Sequence, residues 1–303
     1  MSGKHIELFL VDGVSGGLTT AEIAGWTGHV LAGPRADLAS VLRRPEASRN
    51  GCYLLLADDD AAVGGTRCYV GKTENFVDRM KQHESKKVFW DKVVLITSKD
   101  DGFNEGHWGY LEASLVSIAK EAKRASLENT QTPQTRKLSE AQMSDMEAFL
   151  GQLQVVLPVL GVSTFKMRPV QKMLLDLEPS KTSSPIFSLV KEKRGVNAQA
   201  QLAGGDFTVL EGSLVVGTWS GSGRAESTQR AYKAYKAHHE RLVADGSIAL
   251  QENGIGRLTR DVPFSSPSTA GAIVTGASCN GRKAWTSEHG DFGTWEARGI
   301  DRD

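Results

Sequence analysis

Side chains able to take part in phosphodiester hydrolysis follow one another in the first half of the chain. They are Tyr53, Tyr69, Lys72, Arg79, His83, Glu112 and Asn129. Such hydrolysis needs a positioned water, a base that activates it, and positive charge where negative charge develops on the phosphate. A divalent cation commonly meets the last two needs. In this set of seven residues, the carboxylate of Glu112 could bind a cation and the basic groups of Lys72 and Arg79 could bind a phosphate. Tyr53, Tyr69 and His83 are the candidate proton acceptors.

Glu112 belongs to a predicted helix over residues 107–125 and lies within its apolar stripe. Its neighbours one or two turns away are Trp108, Leu115, Val116 and Ala119. A carboxylate in such a stripe is costly unless something compensates its charge. A hard cation such as Mg²⁺, which keeps most of its waters and takes one or two carboxylates, would do so. The alternative is a glutamate at the edge of the stripe, paired with a lysine; together with the other residues, the metal-ligand interpretation is favoured.

Arg79 and His83 are four residues apart and therefore share one helix face. Arginine can donate two hydrogen bonds to a phosphate, and histidine exchanges a proton near neutral pH. An isolated pair of this kind is more often a solvated helix face. The pair gains a functional interpretation only from the residues around it.

Tyr53 and Tyr69 fall in neighbouring predicted strands at positions that can share one side of a sheet. A strand tyrosine is usually a core residue with its hydroxyl at the rim. In the functional interpretation both phenols orient or deprotonate the attacking water. Because an unperturbed tyrosine has a pKa of about 10, nearby cations must lower it, and Lys72 and Arg79 are placed to do so.

The elements that must position these residues indicate an α+β fold: a small, mainly antiparallel sheet flanked by helices. Predicted strands cover 51–57, 68–70 and 88–97, and predicted helices cover 74–85, 107–125 and 139–160. The last helix opens with a capping-box pattern at Ser139.

Four regions are predicted along the chain. Residues 1–50 form an N-terminal cap or extension with a strand at 6–11 and short helices near 20–26 and 36–43. Residues 51–161 form the domain that contains these seven residues, together with the helix that follows it. Residues 162–205 form a linker, and 206–303 form a second, smaller α+β domain with a helix at 226–244.

The composition limits where the protein is expected to be located and what it is expected to bind. The 36 Lys and Arg residues balance the 36 Asp and Glu residues, so any nucleic-acid-binding surface must be local. No apolar run approaches about 18 residues, so no membrane span is expected. Three cysteines and an N-terminus unlike a signal peptide favour a reducing, cytoplasmic location.

Residues 51–129 resemble the catalytic domain of the GIY-YIG nuclease superfamily. The two signature triplets stand as Gly51-Cys52-Tyr53 and Tyr69-Val70-Gly71. The family arginine, glutamate and asparagine fall on Arg79, Glu112 and Asn129, with the frequent lysine and histidine at Lys72 and His83. Cysteine replaces the middle isoleucine or valine of the first triplet, and this side chain is expected to face the core.

This resemblance implies a three-stranded antiparallel sheet and DNA cleavage by one activated water, with Mg²⁺ or Mn²⁺ on Glu112 and no organic cofactor. Arg79 and Lys72 would hold the phosphate and Tyr53 would orient the water. Tyr69 or His83 would accept the proton, and Asn129 would support the site. The flanks resemble bacterial two-domain members of the superfamily. Cutting both strands would need two active sites or sequential nicks, so a homodimer is one possibility.

Two questions stay open at this point. The basic residues Arg230, Lys233 and Lys236 on one predicted helix, with Arg282 and Lys283 beyond it, are either a DNA contact or a solvated face. Asn280-Gly281 is equally consistent with a DNA contact or a hairpin turn. The chain as a whole is either a divalent-metal-dependent endonuclease or a catalytically silent nucleic-acid-binding or regulatory module that keeps the nuclease fold.

Overall fold

The computed structural model describes residues 3–59, 65–100, 102–133, 137–166, 184–203, 205–221 and 226–298. These residues fall into two compact units, one ending at residue 166 and the other beginning at residue 184. Both units combine helices with a β-sheet, so the chain is a two-unit α+β protein. Among the described residues, no helix combines the length and hydropathy needed to cross a bilayer.

The first unit is built on a sheet whose strands run in the order β1-β2-β3-β6-β4-β5-β7. The strands are β1 Ile6–Leu10, β2 Thr19–Ile23, β3 Gly28–Pro34, β4 Gly51–Asp59, β5 Gly65–Thr73, β6 Lys92–Ser98 and β7 Ala125–Leu127. The helices are α1 Leu38–Leu42, α2 Phe76–Lys86, α3 Glu105–Ala122 and α4 Glu140–Val159. All neighbouring strands are antiparallel except β5 and β7, which are parallel.

Alternation along β4 divides its side chains between two cores. Cys52 and Leu54 enter the core under α3 and α4, whereas Tyr53 and Leu55 enter the core that contains Phe76 of α2. This follows from the period of two in a strand, which sends successive side chains to opposite faces. Helices α2 and α3 therefore cover opposite faces of the sheet.

The expectation of a three-stranded sheet is wrong in extent. Strands β5, β4 and β6 form the expected antiparallel centre, but β3 pairs with β6 over seven residues and β7 joins β5. The segment 1–50, predicted as a cap, thus supplies β1 to β3 of the same sheet. The helix predicted near 20–26 is also wrong, because residues 19–23 form β2 and the chain turns at Gly25, which has φ of 76°.

The second unit contains a sheet in the order β12-β13-β11-β9-β8-β15-β16, with β10 beside β9 and β14 beside β10. The strands are β8 Phe187–Lys191, β9 Val196–Ala203, β10 Asp206–Val209, β11 Leu214–Val216, β12 Ile248–Leu250, β13 Ile255–Leu258, β14 Val262–Phe264, β15 Thr286–Ser287 and β16 Gly290–Asp291. The helices are α5 Glu226–Ala244, α6 Pro267–Thr275, α7 Gly281–Ala284 and α8 Phe292–Glu296. Its core is aromatic, with Phe187, Phe207, Trp285 and Phe292 all buried.

The predicted linker over 162–205 overlaps two of these strands. Residues 167–183 lie outside the described residues, but β8 and β9 pair from Phe187 to Ala200 and bury Leu189 and Ala198. The second unit therefore begins before residue 206. The hairpin turn considered at Asn280-Gly281 is wrong, since α7 begins at Gly281.

Candidate active site

The two strands that carry the signature triplets place Tyr53 directly opposite Gly71. A Cβ atom at position 71 would overlap the hydroxyl and ring of Tyr53. Because real side chains do not approach so closely, position 71 accepts only glycine while the tyrosine keeps this orientation. The glycine of the second triplet thus makes room for the tyrosine of the first.

Helix α2 brings Arg79 and His83 to the same tyrosine. The helix begins after Asn75, whose side-chain oxygen accepts hydrogen bonds from the backbone N–H groups of Val77 and Asp78. Arg79 Nε donates to the Tyr53 hydroxyl at 3.0 Å, and His83 Nε2 lies 2.6 Å from the same oxygen. The imidazole tautomer decides whether the hydroxyl or Nε2 is the donor in the second contact, because the phenol oxygen can accept a hydrogen bond from both neighbours.

Tyr69 is the more accessible of the two phenols. Its ring centroid lies 6.1 Å from that of Tyr53 and 5.5 Å from that of His83. The ammonium group of Lys87 lies 4.0 Å from the Tyr69 ring centroid, a cation–π arrangement. Tyr53 has no exposed surface and His83 is buried, whereas Tyr69 is partly exposed.

The electrostatics of Tyr53 differ from the expectation. Burial raises its pKa well above the ordinary value, the neighbouring Tyr69 raises it further, and Arg79 only partly opposes them. Tyr53 is therefore a neutral phenol at any physiological pH, and it cannot be the base. In return, its hydrogen bond raises the pKa of Arg79, which stays charged.

Glu112 lies half-buried on α3 among side chains that are almost fully buried, including Trp108, Leu115 and Val116. Burial raises the pKa of its carboxyl. The charge and backbone N–H of Lys72, and the charge of Arg79, act in the opposite direction. Glu112 therefore lies within electrostatic reach of residues on both β5 and α2.

The candidate site lies along β5, where residues from helices on the two faces of the sheet come together. Arg79 comes from α2 on one face and Glu112 from α3 on the other, and both act at the strand segment that contains Gly71 and Lys72. The Lys72 ammonium also pairs with Glu105 at 3.0 Å. The prediction that Lys72 tunes the tyrosines is therefore not what the contacts show: its charge acts on Glu112 and Glu105.

Asn129 supports β5 from the parallel edge. Its Oδ1 accepts the backbone N–H of Val70 at 2.9 Å, and its Nδ2 donates to the Val70 carbonyl at 2.8 Å. The side chain thus continues the ladder of β7 past its last residue, at the position between Tyr69 and Gly71. Asn129 acts on the geometry of the second triplet.

Cys52, the departure in the first triplet, is fully buried as a free thiol. Its Sγ lies 3.3 Å from the carbonyl oxygen of Trp108, and burial raises its pKa far above the ordinary value. A buried thiol of this kind is unreactive. It packs β4 against α3, as a core-facing residue should.

A cleft of about 760 Å³ adjoins the site at Lys72 and Glu105. Its wall includes Arg49, Asn50 and Phe103, none of which the sequence analysis singled out. The available signal is their position: Arg49-Asn50 directly precedes Gly51, so β4 must place them beside the motif. A ligand could reach Lys72 through this cleft.

The residues present fit a cation held by one carboxylate. Among the described residues there is no group of three or more His, Cys, Asp or Glu side chains arranged to enclose a metal ion. A half-buried carboxylate such as Glu112 could instead hold Mg²⁺ or Mn²⁺ that retains most of its water ligands.

Two of the basic residues predicted to contact DNA have acidic partners. Arg282 pairs with Glu296 at 2.7 Å, and Lys236 lies 3.7 Å from Glu240. Lys233 and Lys283 are exposed. The side chains of Arg230 and Arg224 lie outside the part of the chain that the structure describes.

Comparison with known proteins bears only on the second unit. Residues 188–292, about a third of the chain, match a family described as a domain of unknown function, DUF4357. The chain has no match among curated proteins or among solved structures.

Proposed function

We propose that the first unit is a divalent-metal-dependent DNA endonuclease of the GIY-YIG type. The proposal depends on one observation above the others. The Arg79–Tyr53–His83 hydrogen-bonded chain and the half-buried Glu112 act on the same segment of β5, although they come from opposite faces of the sheet. Packing alone gives no reason to bring a guanidinium and a half-buried carboxylate to one strand edge.

Glu112 would hold the cation, which when bound would supply positive charge to the phosphate and acidify a water. Arg79 is oriented for phosphate binding, because its Nε is fixed by Tyr53 and its terminal nitrogens extend beyond that bond, one of them 3.3 Å from Gln82 Oε1. Two parallel donors of this kind match two phosphate oxygens. Lys72 would add a second cation once its contact with Glu105 is exchanged for the phosphate.

The contacts favour Tyr69 over His83 as the proton acceptor. Nε2 of His83 is engaged in a hydrogen bond with the Tyr53 hydroxyl, and both residues are buried. Tyr69 is partly exposed beside them, near the charges of Arg79 and Lys87. A true base takes its pKa out of the pH–rate profile when it is replaced, so Tyr69→Phe should flatten the limb along which the rate rises with pH, and His83→Ala should preserve that limb.

The experiment that tests the function uses the purified full chain and supercoiled plasmid DNA. We expect conversion to the nicked form in Mg²⁺ or Mn²⁺ and none in EDTA. Absence of nicking on plasmid and on single- and double-stranded oligonucleotides, with either metal, would overturn the proposal.

The second candidate is a nucleic-acid-binding or regulatory module without catalysis. The Lys72–Glu105 ion pair favours it, since it engages a cation that the nuclease needs for phosphate. Retarded migration of DNA in a gel with no cleavage across several divalent metals would support this candidate. Glu105→Gln separates the two: it should increase nicking by a nuclease but only tighten DNA binding by a silent module.

A further inference from the structure

The second unit contains a basic pocket that the proposed nuclease site does not use. It has a volume of about 520 Å³ and is formed by the end of β8, the turn after it and the segment that joins α6 to α7. Its lining includes Lys191, Arg194 and Lys283 and contains no carboxylate. A concave surface with three cations and no acid has a positive potential that attracts anions.

The three cations are not neutralised by ion pairs with described residues. Arg194 Nη1 donates to the Thr275 carbonyl oxygen at 2.6 Å, which fixes the guanidinium at the wall without cancelling its charge. Lys191 and Lys283 have exposed side chains and no ion pair with another described residue. The carboxyl of Asp291, whose pKa is lowered mainly by the Thr294 backbone N–H, also feels the charge of Lys283.

Two polar groups complete the wall. The side chain of Asn280 precedes α7 but makes no capping hydrogen bond, so its amide is available to a ligand. The thiol of Cys279 is half-buried and packs over Gly271, where a Cβ would overlap its sulfur. Burial raises the pKa of this thiol, and the nearby charge of Lys191 opposes the rise.

We propose that this pocket binds a phosphate group through Lys191, Arg194, Lys283 and the amide of Asn280. Charge-assisted hydrogen bonds from ammonium and guanidinium groups are the strongest that a protein offers to phosphate oxygens. The site belongs wholly to the second unit and does not depend on the nuclease activity proposed for the first. The DUF4357 region of this chain would therefore bind a ligand that contains a phosphate group.

A phosphate group can come from free phosphate or from the backbone of a nucleic acid. The surroundings favour the backbone. The backbone N–H of Ser278, which lines the pocket, donates to the Tyr232 hydroxyl on α5, and the next residue on that helix is the exposed Lys233. Helix α5 therefore contacts the pocket wall and has an exposed cation beside the contact residue, which a nucleic acid could use in addition to the pocket.

Cys279 provides a reporter for occupancy. Cys52 and Cys68 are fully buried, so N-ethylmaleimide should modify Cys279 first in the folded full chain. The labelling rate is measured in EDTA, which prevents cleavage, with inorganic phosphate, with a single-stranded oligonucleotide, and with chloride at equal ionic strength. Slower labelling with the oligonucleotide and not with phosphate indicates a nucleic-acid ligand; slower labelling with both indicates a general phosphate site.

The decisive variant is Lys191→Gln/Lys283→Gln, with Lys193→Gln as the matched control, because Lys193 is exposed on the same turn but does not line the pocket. The double variant should lose protection of Cys279, and the slope of log affinity against log salt for the single-stranded oligonucleotide should fall in magnitude by about 0.7 for each lysine removed. The control should keep protection. Circular dichroism of each variant verifies folding. Equal protection in all three proteins, or none in the wild type with either ligand, would overturn the proposal.

Discussion

The Tyr53 hydroxyl oxygen lies 2.6 Å from Nε2 of His83, and this contact separates the roles of the two residues. The histidine that sequence spacing presents as a base is instead hydrogen-bonded to a buried phenol. That phenol in turn holds the Nε of Arg79. In the proposed nuclease, Tyr53 and His83 would position the arginine, and the accessible Tyr69 would face the substrate.

Tyr53→Phe tests this chain of hydrogen bonds. It removes one oxygen and leaves the partly buried Arg79 Nε and the buried His83 Nε2 without this hydrogen-bond partner. The free energy of unfolding should fall by about 1–3 kcal/mol, and nicking should fall with it because the guanidinium loses its orientation. Chemical denaturation measures the first effect. Tyr110→Phe on α3, whose hydroxyl makes no hydrogen bond with another described residue, should change stability little; an equal loss in both variants would contradict the assignment.

Gly71→Ala tests the packing between the two triplets. The added methyl group overlaps the Tyr53 ring, so the variant should be destabilised by about 1–3 kcal/mol and its Tyr53–Arg79 bond displaced. Thermal unfolding and plasmid nicking report the two consequences. Gly151→Ala is the matched control, because open space surrounds that position on α4 and alanine favours a helix by about 1 kcal/mol. A Gly71→Ala protein as stable and active as wild type would show that the tyrosine is not held as described.

Asn129→Ala should loosen the second triplet while leaving the rest of the sheet intact. The substitution removes both hydrogen bonds between this side chain and the Val70 backbone. Exchange of the Val70 amide hydrogen should therefore accelerate, while the amide of Leu54, on the buried strand β4, should keep its protection. Unchanged exchange at Val70 would mean that Asn129 does not hold this edge.

Glu112→Gln should change how stability depends on pH and metal. Burial raises the pKa of Glu112, so the folded protein binds its proton more tightly than the unfolded chain does. At neutral pH the ionised carboxylate then lowers stability, and this penalty disappears as the pH falls through the raised pKa toward the unfolded value of 4.5. Without metal, Glu112→Gln should melt above wild type at neutral pH, and the gap should close on acidification.

Divalent metal should reverse that order. Mn²⁺ binding to the folded carboxylate raises the melting temperature of wild type and leaves the glutamine variant unchanged. A stabilisation by Mn²⁺ of equal size in both proteins would show that the ion binds elsewhere.

Regular periodicity made the site-bearing elements predictable. The alternating apolar residues of β4 and β6, the 3.6-residue stripe around Glu112 and the capping box at Ser139 all indicated elements that the structure contains. Strand β9 was not predicted because two of its buried positions are alanines. These alternate with asparagine and glutamine, a pattern with little apolar contrast. Strand β2 was not predicted because Ala21 and Glu22 favour helices. Only its pairing with β1 and β3 makes this segment a strand.

Contacts between distant residues were beyond sequence reasoning. Helix spacing placed Arg79 and His83 on one face but could not show that both meet Tyr53. Likewise, the pairing of Lys72 with Glu105 depends on how α3 crosses β5, which no local pattern encodes. The cleft at Arg49 is likewise a tertiary feature.

The most direct test of the account compares nicking of supercoiled plasmid by Glu112→Gln and Glu121→Gln at saturating Mg²⁺ or Mn²⁺. Both variants remove one carboxylate charge from α3, but Glu121 is exposed on the last turn of the helix. The account predicts that Glu112→Gln loses cleavage altogether while Glu121→Gln cuts at the wild-type rate. Cleavage by Glu112→Gln at the wild-type rate would contradict the assignment of this carboxylate, and with it the metal-dependent mechanism.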